Sequence, residues 1–286
     1  MQIHRRAALA AVVFSAFGAL LLGSAAALAE EKKAYTPEVG QPGKDVVWVP
    51  TPDAVVQKML DMAHVTKKDR LVDLGSGDGK IAIAAAKRGA RAKGVEFNPD
   101  MVALSQRNAQ AAGVQVDFVR GDIFETDFSE ADVLTLYLLP ELNERLRPTI
   151  LKMRPGTRVV SHQFTMGDWE PDEEANIDSH RALFWLVPAR VAGNWTVQLA
   201  DEGDKGTMKL QLRQRYQKVE GQSTWDGASR PIADGKLSGA KLRFTATDAS
   251  GTVHRFEGTA QGSGRLSGTV TTNGAGPRPF QAKRQQ

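Results

Sequence analysis

The run Leu71-Val72-Asp73-Leu74-Gly75-Ser76-Gly77-Asp78-Gly79-Lys80-Ile81-Ala82 limits what this 286-residue chain can fold into more than any other stretch. Apolar residues lead into an acid, glycine fills three of the five positions from 75 to 79, and an Ala/Ile-rich run with helical character follows at once. A strand that turns into a helix within so few residues needs backbone conformations that a Cβ resists, and it brings bare main chain to the carboxyl end of the strand. In an open α/β sheet, that end is where ligands bind.

The neighbouring sequence repeats the change from strand period to helix period. Strands are expected over residues 70–74, 91–96, 115–120, 131–137 and 157–162, and helices over 80–88, 99–112 and 142–152, with a further helix that starts within residues 49–53, capped by Thr51 or Asp53, and ends near His64. The first helix follows Val49-Pro50-Thr51-Pro52 and carries Val55, Val56, Met59, Leu60 and Ala63 at helical spacing. Gly89, Gly113 and Gly156 mark helix ends. The alternation predicts an α/β domain over residues 49–190, a doubly wound, Rossmann-like parallel sheet with helices on both faces. Beyond Pro188 the texture changes to short period-two runs such as Met208, Leu210, Leu212 and Leu242, Phe244, Ala246, separated by Gly-containing turns. That pattern predicts a small all-β domain over residues 194–286, an antiparallel barrel or sandwich. The echo between Gly235-Lys236-Leu237-Ser238-Gly239 and Gly264-Arg265-Leu266-Ser267-Gly268 suggests a repeated hairpin element.

At the other end, His4-Arg5-Arg6 precedes an uncharged Ala/Leu-rich run from Ala7 to Ala29 that closes on Ala27-Leu28-Ala29. This has the layout of an export signal cut after Ala29. The same run, at about 1.5 Å per residue, is also long enough to stay as a membrane anchor. Either way the remainder is expected outside the inner membrane, periplasmic or tethered to its outer face. Residues 30–48, polar and rich in Pro and Gly, read as a leader segment with little regular structure. The absence of cysteine excludes disulfides, thiolate metal sites and a Cys nucleophile. Residues 194–286 hold 14 Lys/Arg against 8 Asp/Glu, and residues 7–193 hold 21 against 25. The basic surplus forms no cluster of the kind that binds nucleic acid, so none is expected as a partner.

The glycine turn is neither of two common phosphate loops. The dinucleotide fingerprint needs glycine where Lys80 stands, and the P-loop needs glycine at Leu74 and a hydroxyl at Ile81. Carboxylates at Asp73 and Asp78 would also repel a pyrophosphate placed on the helix N-terminus. A phosphate-free, positively charged ligand suits the turn better. The pattern D-x-G-x-G-x-G, complete as Asp73, Gly75, Gly77 and Gly79, resembles the cofactor loop of class I methyltransferases that use S-adenosyl-L-methionine (SAM). That resemblance implies SAM as cofactor, with Gly75, Ser76 and Gly77 against its methionine part. An acid at the end of the second strand takes ribose hydroxyls in a doubly wound sheet, and Glu96 stands there with Phe97 beside it. Asp122, followed by Ile123, stands after the third strand, where the adenine amino group is expected. Taken singly, Asp122 also reads as a turn cap and Glu96 as a solvated strand end.

Val49-Pro50-Thr51-Pro52, the glycine loop, Leu136-Tyr137-Leu138-Leu139-Pro140 and Arg154-Pro155-Gly156-Thr157-Arg158-Val159-Val160-Ser161 narrow the resemblance further. Together, over residues 49–171, they are similar to the protein-lysine methyltransferases of the mitochondrial ATP-synthase c subunit and adenine nucleotide translocase, and to bacterial relatives. This implies a protein lysine as methyl acceptor, with membrane or envelope proteins as partners. It also implies that Thr51 and Pro52 close over the cofactor, and that residues 137–140 line the opening where donor and acceptor meet. Thr51, Tyr137 and Pro140 are therefore the candidates on the catalytic side. Tyr137 also reads as half-buried core, Trp169 as packing rather than an aromatic wall for the acceptor, and His162 as a structural histidine; no general base is nominated. A small-molecule methyltransferase and a non-catalytic envelope binding protein on the same scaffold stay open. The β domain is expected to bind substrate or lipid, or to cover the cleft.

Overall fold

Every strand and helix expected between residues 53 and 162 forms, with ends displaced by a few residues. A computed structural model describes residues 35–200, 207–262, 264–273 and 275–285, and the expected signal over residues 1–29 lies outside the described residues. The elements are α1 (Asp53–Met62), β1 (Arg70–Leu74), α2 (Lys80–Lys87), β2 (Arg91–Glu96), α3 (Pro99–Ala111), β3 (Asp117–Arg120), β4 (Val133–Leu136), α4 (Pro140–Ile150) and β5 (Arg158–His162). Strands β1 to β5 pair in parallel in the order β3-β2-β1-β4-β5. Beyond β5 the sheet gains an antiparallel hairpin, β6 (Glu173–Ile177) and β7 (His180–Leu186), for an order β3-β2-β1-β4-β5-β7-β6. The sequence reading missed this hairpin. Four consecutive residues of β7, Ala182 to Trp185, are buried, so it has no period-two signature.

The central strand β1 is covered on both faces. Leu71 joins Val55, Met59, Ile81, Ala82 and Val102 in a core with α1 to α3. Val72 and Leu74 join Leu134, Leu136, Leu146 and Trp185 in a second core under α4. Covering both faces leaves the carboxyl ends of the strands as the edge open to a ligand.

The C-terminal strands are β8 (Gly193–Leu199), β9 (Thr207–Arg215), β10 (Lys218–Trp225), β11 (Ala228–Pro231), β12 (Ala233–Ser238), β13 (Lys241–Thr247), β14 (Val253–Gln261), β15 (Arg265–Thr272) and β16 (Arg278–Arg284). Because β9 pairs with β10 as well as with β8, the sheet closes into an eight-stranded antiparallel barrel, with short β11 hung on β10. Its interior is filled by side chains, among them Trp195, Leu210, Phe244, Phe256 and Phe280. Phe244 and Phe256 stack at 4.7 Å, and Phe280 meets Phe256 edge-on at 5.3 Å. A small barrel filled in this way leaves its outer surface, not its interior, for any partner. The two glycine-flanked echoes also differ in place, one closing β12 and the other opening β15.

The barrel meets the α/β part along residues 168–172. Asp168 bonds Arg147, Arg215 and the Tyr216 hydroxyl, and Glu170 pairs with Lys218. Trp169 is fully buried and stacked on Tyr216, so it packs as the sequence reading favours. The exposed ion pairs here set register more than stability, and burial of Trp169 supplies the attraction. Among the described residues, no helix is long and apolar enough to cross a membrane.

Candidate active site

Gly75, Gly77 and Gly79 all take left-handed φ values, +78°, +52° and +84°. A Cβ on Gly79 would lie 2.5 Å from Phe118 Cζ and 2.8 Å from Ser105 Cβ. One on Gly77 would lie 2.9 Å from Trp48 Nε1, and one on Gly75 2.9 Å from Leu138 Cδ2. The glycines are thus required first by the turn and by the protein's own packing. Gly75 and Gly77 line a cleft at the strand ends; Gly79 caps α2 behind it.

Of the five acids that line that cleft, three stand at the ends of β1 and β2 and just after β3, the others being Asp45 and Asp78. Asp73 is 2% exposed and accepts a 2.7 Å hydrogen bond from the Thr135 hydroxyl. Burial pushes its pKa up to about 7 against the effect of that bond, and the charges of Asp78 and Glu96 add to the rise. Glu96 accepts from Gly77 N at 3.0 Å and Asn98 N at 2.9 Å, so it fixes the glycine turn while keeping further lone pairs for a ligand. Asp122 accepts from Phe124 N and from Lys44 Nζ at 2.5 Å, and the Lys44 bond holds its carboxyl below the usual range. Phe97 and Ile123 line the same cleft, Phe97 with 43% of its surface exposed. Ser76 is buried with its hydroxyl unpaired.

Lys44 belongs to the segment expected to have little regular structure, and its described residues hold only an isolated bridge, Pro42 to Val47, yet they are ordered against the cleft. Residues 40–48 form a small hairpin, closed by Gly40 N to Trp48 O, Trp48 N to Gln41 O and Gly43 N to Val46 O. It lies along the cleft, with Trp48 against Gly77 and the Lys44 ammonium 4.7 Å from the Phe97 ring centroid. The one signal for it in the sequence is an aromatic and apolar stretch, Val46-Val47-Trp48-Val49, at the end of a polar segment. Among the described residues this hairpin, not the barrel, covers the cleft, whose lining falls between 41 and 164.

On the acceptor side, Thr51 is buried, lines the cleft and lies 3.2 Å from His162 Nδ1 through its Oγ1. Tyr137 is half-buried, lines the cleft and packs on the His162 ring at 3.9 Å, with Phe164 stacked beyond it. Pro140 does not line the cleft, which corrects the expectation for residues 137–140; it is the first residue of α4, where its missing N–H costs nothing. Leu139 and Leu142 line the cleft at that point instead.

The residues present fit SAM. A deep carboxylate raised by burial and by two acidic neighbours is stabilised by a sulfonium or ammonium, an unpaired buried hydroxyl lines the same cleft, and so does the part-exposed aromatic ring of Phe97. Comparison with known proteins agrees. The family described as the ANTKMT methyltransferase domain matches residues 73–173. A protein-lysine N-methyltransferase of Saccharolobus islandicus is 44% identical over 151 residues, which cover 50% of this chain and 94% of that protein. The chain belongs to this methyltransferase family.

The mouse lysine N-methyltransferase of the ATP-synthase c subunit is 34% identical over 128 residues, 44% of this chain and 51% of that protein. This methyltransferase thus spans about half the length of its mouse relative. Among solved structures, an RNA methyltransferase from Salinibacter ruber in complex with S-adenosyl-L-homocysteine is 49% identical, covering 50% of this chain and 96% of that one with a TM-score of 0.49. The family match ends at residue 173, so the methyltransferase carries its barrel outside the shared domain. Its methyl donor is SAM.

Proposed function

We propose that this methyltransferase acts on the side-chain amine of a lysine in a protein of the cell envelope. The observation that carries the reading is the placement of Asp73, Glu96 and Asp122 at three successive strand ends around bare main chain. The names of the Saccharolobus islandicus and mouse relatives support lysine as the acceptor. SAM supplies an electrophilic methyl group when bound. The protein supplies alignment: Glu96 takes ribose hydroxyls while bonded to Gly77, Asp122 the adenine amino group, and the carboxylate of Asp73 the positive end of the methionine part. Val47, Val49 and Leu139 are exposed apolar side chains at the mouth, suited to the stem of a lysine and its flanking residues. An amine drawn into such surroundings loses its proton more readily, as attack requires.

Export and nearness to a membrane are part of the proposal and are supported by the apolar run from Ala7 to Ala29. Labelled-methyl transfer, run separately on periplasmic and membrane fractions with the wild type and Glu96→Ala, tests all of it. Label on lysine of an envelope protein, lost in the variant, is expected. Label confined to small molecules overturns the acceptor assignment, and recovery of the chain only from cytosol, with residues 1–29 attached, overturns the location.

A further inference from the structure

Thr51 Oγ1, His162 and His180 form one line of hydrogen bonds. His162 Nδ1 lies 3.2 Å from Thr51 Oγ1, and His162 Nε2 lies 3.0 Å from His180 Nδ1. The line starts at the cleft wall and ends at a half-buried residue that opens β7. His162 itself is fully buried. Among the described residues, neither imidazole pairs with a carboxylate, so the usual reason for keeping a buried histidine is missing. Burial, with the charge of His180 adding to it, depresses the His162 pKa to about 4, so near neutral pH the ring carries a single N–H.

A neutral ring with both nitrogens engaged allows two directions. With the proton on Nε2, His162 donates to His180 Nδ1 and its Nδ1 accepts from the Thr51 hydroxyl. The reverse needs His180 protonated on Nδ1 and turns the Thr51 hydroxyl proton away from His162. The Nε2-protonated form is the intrinsically preferred tautomer of a neutral histidine side chain, and only the first direction gives it to both rings.

We propose that His162, braced by His180, is a positioning residue that engages the Thr51 hydroxyl proton, so that Thr51 presents only lone pairs to the cleft and accepts an N–H of the incoming amine. Holding one N–H in this way leaves the nitrogen lone pair free to face the methyl group, an orientation effect of the kind that shortens the path to reaction. The role given to the amine rests on the lysine reading above; the direction of the hydrogen bonds does not.

The test therefore has an arm without acceptor. Long-range proton–nitrogen correlation spectra of the full chain report the tautomer of each ring. Both rings protonated on Nε2, with His162 Nδ1 in the accepting state, is the expected result; His162 protonated on Nδ1 overturns the proposal. In the kinetic arm, Thr51→Val is expected to lower kcat about tenfold, with acceptor KM and S-adenosylhomocysteine affinity within about twofold of the wild type. Thr51→Ser should recover most of the loss. His180→Ala, at a half-buried position, should mix the tautomers of His162 and lower kcat a few-fold. A kcat for Thr51→Val equal to the wild type, or a loss that Thr51→Ser shares, overturns the proposal. If the label is found on an amine other than lysine, the acceptor reading fails alone, because the tautomers and the kcat series with that amine still decide this one.

Discussion

Asp73 in the cleft and Asp248 on the barrel are both carboxylates withdrawn from water, and the two regions treat them in opposite ways. Asp73 has one side-chain donor, Thr135, and acidic neighbours in Asp78 and Glu96, and its pKa rises to about 7. Asp248 also loses solvation, yet Ser250, His254 and the backbone N–H of Thr252 bond it, and its pKa falls to about 2. A fully partnered acid is structure. An underpartnered one, set against acids of the same sign, is a place where a cation is wanted. The barrel satisfies its polar groups from within and fills its interior, whereas the parallel sheet leaves charge unbalanced at the edge where its loops diverge.

The largest effect that can break this contrast is expected inside the barrel. Phe256→Ala removes the ring at the centre of the Phe244 and Phe280 contacts and should cost about 3–5 kcal/mol in denaturant unfolding. Cofactor affinity at a temperature where the variant is folded should stay within about twofold, since among the described residues no barrel side chain lines the cleft; a tenfold loss would mean that the two regions are coupled. Glu96→Gln should act mainly on the cleft, weakening SAM binding about tenfold or more by calorimetry; because one of the two oxygens that accept from Gly77 N and Asn98 N becomes an NH2, it should also cost about 1–2 kcal/mol in unfolding, less than Phe256→Ala.

The two acids also predict opposite slopes of stability with pH. Folded protein holds the Asp73 proton more tightly than the unfolded chain does. Its contribution is therefore greatest in acid and is lost as pH rises from 3.8 to about 7. Asp248 contributes fully above 3.8, and that contribution is lost as pH falls toward about 2. Thermal unfolding across pH should show the first slope vanish in Asp73→Asn and the second in Asp248→Asn; saturating SAM should flatten the first slope and leave the second. The smallest effect belongs to Lys44→Ala. Freeing the Asp122 carboxylate from its ammonium should tighten SAM binding by up to about fivefold at low salt and less as salt rises. Weaker binding in this variant would show that the Lys44 ammonium assists the cofactor instead of competing with it.

Much of this was legible in one dimension. The β1 and β2 boundaries match the reading of the sequence, and the alternation Leu242, Phe244, Ala246 identified the buried face of β13. The antiparallel edge at β7 was not, because a strand buried along four successive residues gives a run with no period. Pro140 was placed at the mouth by its neighbours in sequence, although it opens α4 and is not among the residues that line the cleft. The hairpin over residues 40–48 was missed because polar, Pro- and Gly-containing segments look alike whether solvated or laid against a site.

What the sequence alone determined is local. The glycine turn follows from backbone angles that residues with a Cβ avoid, and the acids fall at strand ends because strand length and helix spacing place them there. What only the tertiary structure decided joins residues far apart along the chain. Lys44 reaches Asp122 across 78 positions, Thr51 meets His162 across 111, and the barrel closes when β9 finds a second partner in β10. Such meetings leave no periodic mark, since a contact between distant segments is fixed by how whole elements pack and not by the residues on either side of it.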